Sequence, residues 1–287
     1  MMTGVFHFMA NSLGLILAGG KLRVPWNAVN REDRRQVRWG HAALLAVGVS
    51  VVCSSIGNSA DPRFTVLVFS KTAGFRHDSI PQGVAAIEAL GAEHGFAVDE
   101  TEDAARFSDA ALARYRVIVF LNTTGDVLDA GQKAAFEGYM RSGGGFVGIH
   151  SAADTEYGWP WYGRLVGAWF KSHSQIQRAT VHIADPRHPS MKDLPAAWER
   201  TDEWYNFRTN PRGAVRVLAT LDEATYSGGT MGADHPIAWC QEVKGGRSWY
   251  TGMGHTKESY AEPLFRLHLL GGMESAAGIA GSCKNYE

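Results

Sequence analysis

From Phe64 onward the chain alternates between short apolar runs and longer amphipathic stretches. "FTVLVFS" (64–70), "RVIVFLN" (116–122) and "FVGI" (146–149) are nearly continuous in apolar residues, many of them β-branched. Runs of that kind read as strands buried on both faces, the habit of a parallel sheet. "FAVDET" (96–101) is a shorter and more polar strand. Helical signatures lie between them. One opens with Ser79 as N-cap and Pro81 in its first turn, and stops at Gly95. Ser108 opens a shorter helical turn, and a longer helix is capped by Asp129 and ended by glycines 143–145. Strands and helices alternating at this spacing predict βαβ units and a mainly parallel sheet.

Past Tyr157 the period changes. "QIQRATVHIAD", "ERTDEWYNF", "VRVLATLD", "PIAWCQEV" and "RSWYTGMGH" are strand-like with few long helices between them, which predicts added antiparallel strands and the last strands of the sheet. A helix over 261–278 closes the domain. No internal repeat or linker divides this stretch, so residues 61–279 are expected to form a single domain, followed by a short tail over 280–287. The first 60 residues read differently. "REDRRQVRWGH" is basic, "AALLAVGVSVVC" is apolar, and small and polar residues follow: the layout of a secretory signal over about 31–60, with residues 1–30 as a prefix. The apolar run is too short for a stable membrane anchor. Export to the periplasm or extracellular space is expected, with membrane contact only through the signal.

A formal charge of -1 supplies no basic field for nucleic acid. Of the three cysteines, Cys53 lies in the signal, and Cys240 and Cys283 are too few for a disulfide framework. They are expected as free thiols. The nine tryptophans suit core packing for the most part, but exposed Trp or Tyr at a loop rim would suit stacking on a sugar.

Polar clusters follow the expected sheet strands: "KTAGFRHDS", "NTTGD", "HSAADTE" and "GHTKES". Ligands of open parallel sheets bind beyond the carboxyl ends of the strands, so these four loops predict a site. His150 has a special place in it. The strand "FVGI" runs into His150 with Gly148 two residues before and Ala152 two residues after. Small residues at those positions are what a nucleophile elbow requires, since larger ones clash as the chain doubles back.

"VLVFSKTAGFRHDSI", "GGGFVGIHSAADT", "TDEWYNF" and "GRSWYTGMGHTKESY" resemble the signature blocks of the ThuA (trehalose-utilisation) family, and the resemblance covers roughly residues 64–279. It implies a flavodoxin-like three-layer α/β sandwich similar to the class I glutamine amidotransferases, and a link to carbohydrate metabolism. In those amidotransferases the elbow carries a cysteine, activated by a histidine after the last strands and a nearby glutamate. Here His150 stands at the tip, His255 lies where the partner histidine is expected, and Glu258 follows it by three residues. Without a thiolate the usual glutaminase reaction is excluded.

The expected catalytic residues are therefore His150 and His255 as proton carriers, with Glu203 or Asp154 orienting them. His77, Asp78, Asn122, Thr124, Trp161 and Tyr205 are the expected substrate contacts. His77, His150 and His255 with a carboxylate could instead hold a divalent metal, most naturally zinc, although no local H-x-x-x-H or C-x-x-C spacing announces one. The expected substrate is a saccharide or an oxidised keto-sugar. The competing expectation is a non-catalytic carbohydrate-binding domain, in which Trp159, Trp161, Trp204 and Tyr205 would matter more than the histidines.

Overall fold

The computed structural model describes residues 61–283; the expected signal, with Cys53, lies outside them. The first half of the domain follows the predicted order: β1 (Thr65–Phe69), α1 (Ile80–His94), β2 (Ala97–Thr101), α2 (Asp109–Leu112), β3 (Val117–Leu121), α3 (Ala130–Arg141) and β4 (Gly145–Ile149). Then come α4 (Pro160–Val166), β5 (Phe170–His173), β6 (Gln177–Ile183), β7 (Ala197–Asp202), β8 (Tyr205–Phe207), β9 (Arg216–Leu221), β10 (His235–Val243), β11 (Gly246–Thr251) and α5 (Pro263–Ala277).

One large sheet has the order β2-β1-β3-β4-β11-β10-β9-β6-β7, and β5 pairs with β8 in a separate ribbon. The strands from β2 to β11 are parallel; those from β11 to β7 are joined antiparallel. The three apolar runs β1, β3 and β4 are adjacent, as their burial on both faces demands. β10 and β11 form a hairpin through Lys244 and Gly245, whose φ values of 51° and 96° match a tight turn with the sheet's own twist.

Side chains alternate across a strand, so neighbouring residues identify the two faces of the sheet. On β11, Trp249 packs on Gly272 of α5, where an added Cβ would sit 2.6 Å from the indole. Ser248 points the other way and donates to the Leu165 carbonyl of α4 at 2.6 Å. On β3, Leu121 packs on Gly83 of α1, and Phe120 stacks on Phe136 of α3 at 5.4 Å between centroids. Helices α1 and α5 thus cover one face and α3 and α4 the other, completing the three layers. The antiparallel half curves back round α5. Although three strands separate β7 from β11, Trp198 and Arg200 of β7 donate to Glu262 at the start of α5, at 2.8 and 3.1 Å.

Cys240 and Cys283 are disulfide-bonded, which corrects the expectation of free thiols. The chain leaves α5 through Gly278 and Gly281, both in the left-handed region, and doubles back towards β10. Arg216 of β9 donates to the Ser282 carbonyl at 2.5 Å, and the cysteine Cα atoms lie 5.4 Å apart. The beginning of the expected tail is therefore stapled to the sheet. The bond spans 43 residues, and loss of a crosslink of that size is expected to cost roughly 2–4 kcal/mol. Urea unfolding of Cys283→Ser, or of reduced protein, should show the earlier midpoint; an unchanged midpoint would deny the bond this role.

Candidate functional site

β4 ends at Ile149, and the chain reverses at His150, whose φ of 49° lies in the left-handed region. For a residue with a Cβ this costs about 1–3 kcal/mol, so the surroundings must enforce it. Tyr250 Oη donates to the His150 carbonyl at 2.8 Å. A Cβ at Gly148 would lie 3.0 Å from the Tyr250 ring and 3.2 Å from the Ala152 methyl, which is why both flanking positions are small. The turn continues as a 3-10 helix over His150–Asp154, rather than the α-helix of a usual elbow.

The ring of His150 is fully buried, and Nδ1 lies 2.9 Å from the Gly252 carbonyl. A carbonyl only accepts, so Nδ1 carries the proton and a neutral ring presents a lone pair at Nε2. That nitrogen lies 3.2 Å from His255 Nδ1 and 3.4 Å from Glu203 Oε2. His255 Nδ1 is in turn 3.1 Å from the same Glu203 oxygen, so its N–H serves both neighbours. Tyr205 lies against the His150 ring at 4.0 Å between centroids. His77 closes the cluster, its ring 4.9 Å from that of His150 and 5.0 Å from that of His255. Its Nδ1 is 3.3 Å from Ser151 Oγ.

Glu203 reaches this point because the predicted strand "ERTDEWYNF" breaks. β7 stops at Asp202 and stays in the large sheet, whereas β8 starts at Tyr205 and pairs with β5. The buried Asp202 carboxylate accepts the backbone N–H groups of Gly254 and His255 at 2.8 and 3.0 Å and pairs with Arg200 at 3.0 Å. Adjacent acids thus grip one loop, Asp202 by its backbone and Glu203 by the His255 ring. The other Glu203 oxygen meets Nδ1 of the half-exposed His173 at 2.9 Å.

Burial works against charge on Glu203, but its close contacts with His150 and His255 outweigh it and hold the carboxyl well below its ordinary range. Burial likewise opposes charge on His255, yet Glu203 wins and raises the imidazole above its usual value. At His77 burial dominates and, with the neighbouring histidines, pushes the pKa down to about 2. His77 is a neutral imidazole at any working pH.

The crevice also holds Asp154, whose carboxyl is pushed up by burial and accepts from Tyr157 Oη at 2.6 Å. The remaining expected contacts fall elsewhere. Asn122, itself at φ 49°, donates to Ser79 Oγ and the Gly254 carbonyl at 3.1 and 3.3 Å, joining two loops beneath the site. Thr124 binds the backbone of Gly74 and Phe75, and the exposed Asp78 pairs with Lys257 at 2.7 Å. Trp161 is in the core, stacked on Trp159 and edge-on to Phe136, and Trp204 is fully buried. Neither is a rim aromatic: Trp161 lies on the inward face of α4, and Trp204, between β7 and β8, donates its indole N–H to the Gln177 carbonyl at 2.9 Å. Arg76, in the same loop as Asp78, pairs with Glu102 at 2.6 Å. Glu258 is exposed, so the carboxylate beside His255 is Glu203. Phe75 and Phe170 line the crevice without having been singled out; an apolar residue in the polar loop "KTAGFRHDS" was the available signal for the first.

One donor atom each from His77, His150, His255 and Glu203 lie within 4.8 Å of one another, a set fit for a divalent metal. Among the described residues a second such group, His188 with Cys240 and Cys283, has its sulfurs committed to the disulfide.

A three-layer α/β sandwich with a strained turn at the carboxyl edge of its parallel strands defines a flavodoxin-like protein whose elbow carries imidazole. The model of the family ThuA, described as trehalose utilisation, matches residues 65–276, and the chain belongs to that family. A ThuA-like protein from Bacteroides uniformis has a similar structure, with a TM-score of 0.65 and 30% identity over 74% of this chain and 91% of its own. A ThuA-like protein from Parabacteroides merdae gives a TM-score of 0.62 at 20% identity, over 77% of this chain and 92% of its own. No curated protein matches the chain significantly.

The His255 shift yields a test on metal-free protein. An NMR titration should find the His255 ring holding its proton above the ordinary imidazole value, and Glu203→Gln should bring that value down. An unaltered titration in the variant would remove Glu203 as the cause.

Proposed function

We propose that this ThuA-family chain transforms a saccharide or an oxidised keto-sugar, using a divalent metal such as zinc held by His77, His150, His255 and Glu203. The convergence of these four donors carries the reading. Metal-bound histidines ordinarily give their second N–H to a carbonyl or similar acceptor, which fixes the ring. His150 has that arrangement through Gly252, and Nε2 is left facing the cluster. His77 is already neutral, the form that ligates. A metal there would polarise a sugar oxygen. Asp154, its carboxyl raised by burial and facing the same crevice, is the nearby group suited to carry a proton.

A second reading keeps His150 and His255 as the proton carriers, oriented by Glu203 without metal. The raised His255 and its N–H shared between Glu203 and His150 favour it. A non-catalytic sugar-binding domain draws less support, because Trp161 and Trp204 are packed in the core. Glutaminase chemistry needs a thiolate where this chain has His150. Export is part of the proposal. The Cys240–Cys283 disulfide is of the kind that persists in oxidising compartments. N-terminal sequencing of exported protein should find a start between about Cys53 and Asp61, and an intact Met1 would end that part of the reading.

Zinc content and turnover of trehalose and its keto derivatives test the chemistry. The wild type should bind zinc stoichiometrically and lose activity to a chelator. His150→Ala should lose both metal and turnover while stability changes by about 1 kcal/mol. Full turnover by metal-free protein would transfer the chemistry to the imidazole pair, and turnover by His150→Ala would refute both readings.

A further inference from the structure

We infer that Phe75 and Phe170, backed by the buried Tyr205, form a stacking subsite for one uncharged pyranose ring at the mouth of the crevice. The inference rests on the saccharide reading above and names the residues that would hold the sugar.

Phe75 leaves 66% of its surface exposed. Burying a phenylalanine contributes about 1.5–3 kcal/mol, and Phe75 forgoes most of that. Its exposure does not come from a loosely held loop. Ala73 N–H donates to the Thr124 carbonyl at 2.7 Å, Gly74 N–H to Thr124 Oγ1 at 3.2 Å, and Thr124 Oγ1 to the Phe75 carbonyl at 2.7 Å. The neighbouring loop comes close enough for this because Gly125 has a φ of 73° and no Cβ; an added one would lie 3.2 Å from Gly74 N. At the other end of the same loop, Asp78 pairs with Lys257. Thr124 and Asp78 are thus positioning residues. They hold the segment that presents Phe75 and His77.

The Phe75 ring stands edge-on to His77 at 4.9 Å and 86°, and borders the same crevice as Phe170 and Tyr205, which pack together at 4.3 Å. The crevice has a volume of about 450 Å3, within the range of small-molecule sites. A pyranose has C–H-rich faces that pack on aromatic rings and a girdle of hydroxyls that needs polar partners. Aromatic carbon from Phe75 and Phe170 beside the polar groups of Glu203, Asp154 and His173 matches that division. No lysine or arginine lines the crevice among the described residues, so it lacks the permanently charged side chain that pairs with a sugar phosphate.

Calorimetric titration of the zinc-loaded protein with trehalose, methyl α-D-glucopyranoside and glucose 6-phosphate tests the subsite. The uncharged probes should bind better than the phosphate. Phe75→Ala should weaken them roughly tenfold, Phe75→Trp should retain them, and zinc content should be the same in both variants. Thr124→Val should weaken binding less than Phe75→Ala does, and Thr124→Ser should restore it. Wild-type affinity in Phe75→Ala would overturn the subsite and leave the saccharide reading intact. Preference for the phosphate would overturn the choice of an uncharged ring. A wild type that bound none of the three would overturn the saccharide reading, and the subsite with it.

Discussion

An ionised carboxylate taken out of water needs other groups to replace the solvent, or it gives up its charge. Glu203 keeps only 10% of its side chain exposed, and ring nitrogens of three histidines surround it, those of His255 and His173 as the donors that replace solvent. Those rings arrive from separate places: the turn after β4, the end of β5, and the loop after β11. The carboxylate is therefore the common partner that gathers rings from three elements into one site. It also sets proton occupancy, holding one between itself and His255 while His77 stays neutral. Neutralising that carboxylate would leave the imidazoles facing one another without their shared acceptor.

The antiparallel half of the sheet is what delivers this group. A parallel α/β sheet alone supplies His77, His150 and His255 from the loops at one edge. The orienting carboxylate comes from β7, the far end of the strand order, brought back by the curvature of the sheet round α5. Arg200 fixes that return through Asp202, Glu262 and Ser259. Buried charge networks of this sort contribute less to stability than to placing their members. Here the placed member is Asp202, one residue from Glu203 and bonded to the backbone of His255.

Local pattern shows the parallel core and the elbow in the sequence. Apolar runs identify β1, β3 and β4, and Gly148 and Ala152 mark His150 as the tip of a tight turn. Both are constraints between near neighbours, which a single chain displays. Relations between distant segments are not displayed. "TDEWYNF" reads as one strand, and only the competing partners of Asp202 and Tyr205 split it at Glu203. Thr124 and Asp78 have the chemistry to bind a substrate, but backbone groups of neighbouring loops and Lys257 engage them first. Cys283 meets Cys240 because Gly278 and Gly281 reverse the chain, and neither glycine stands in a pattern that names its destination.

A strained turn of this kind can present a thiol or an imidazole equally well, and the side chain it presents decides the chemistry. The turn's contribution is to lift a single side chain out of the strand end at a fixed angle. A thiol so placed needs a neighbour to take its proton before it can attack. His150 is held differently, by the Gly252 carbonyl on Nδ1, which fixes the tautomer and leaves Nε2 as an oriented lone pair. An oriented lone pair beside a carboxylate and two further imidazoles is a ligand or a base. With Nδ1–H fixed on a carbonyl and Nε2 facing Glu203 and His255, the tip has the geometry that the proposed metal or proton role requires, and no activated nucleophile.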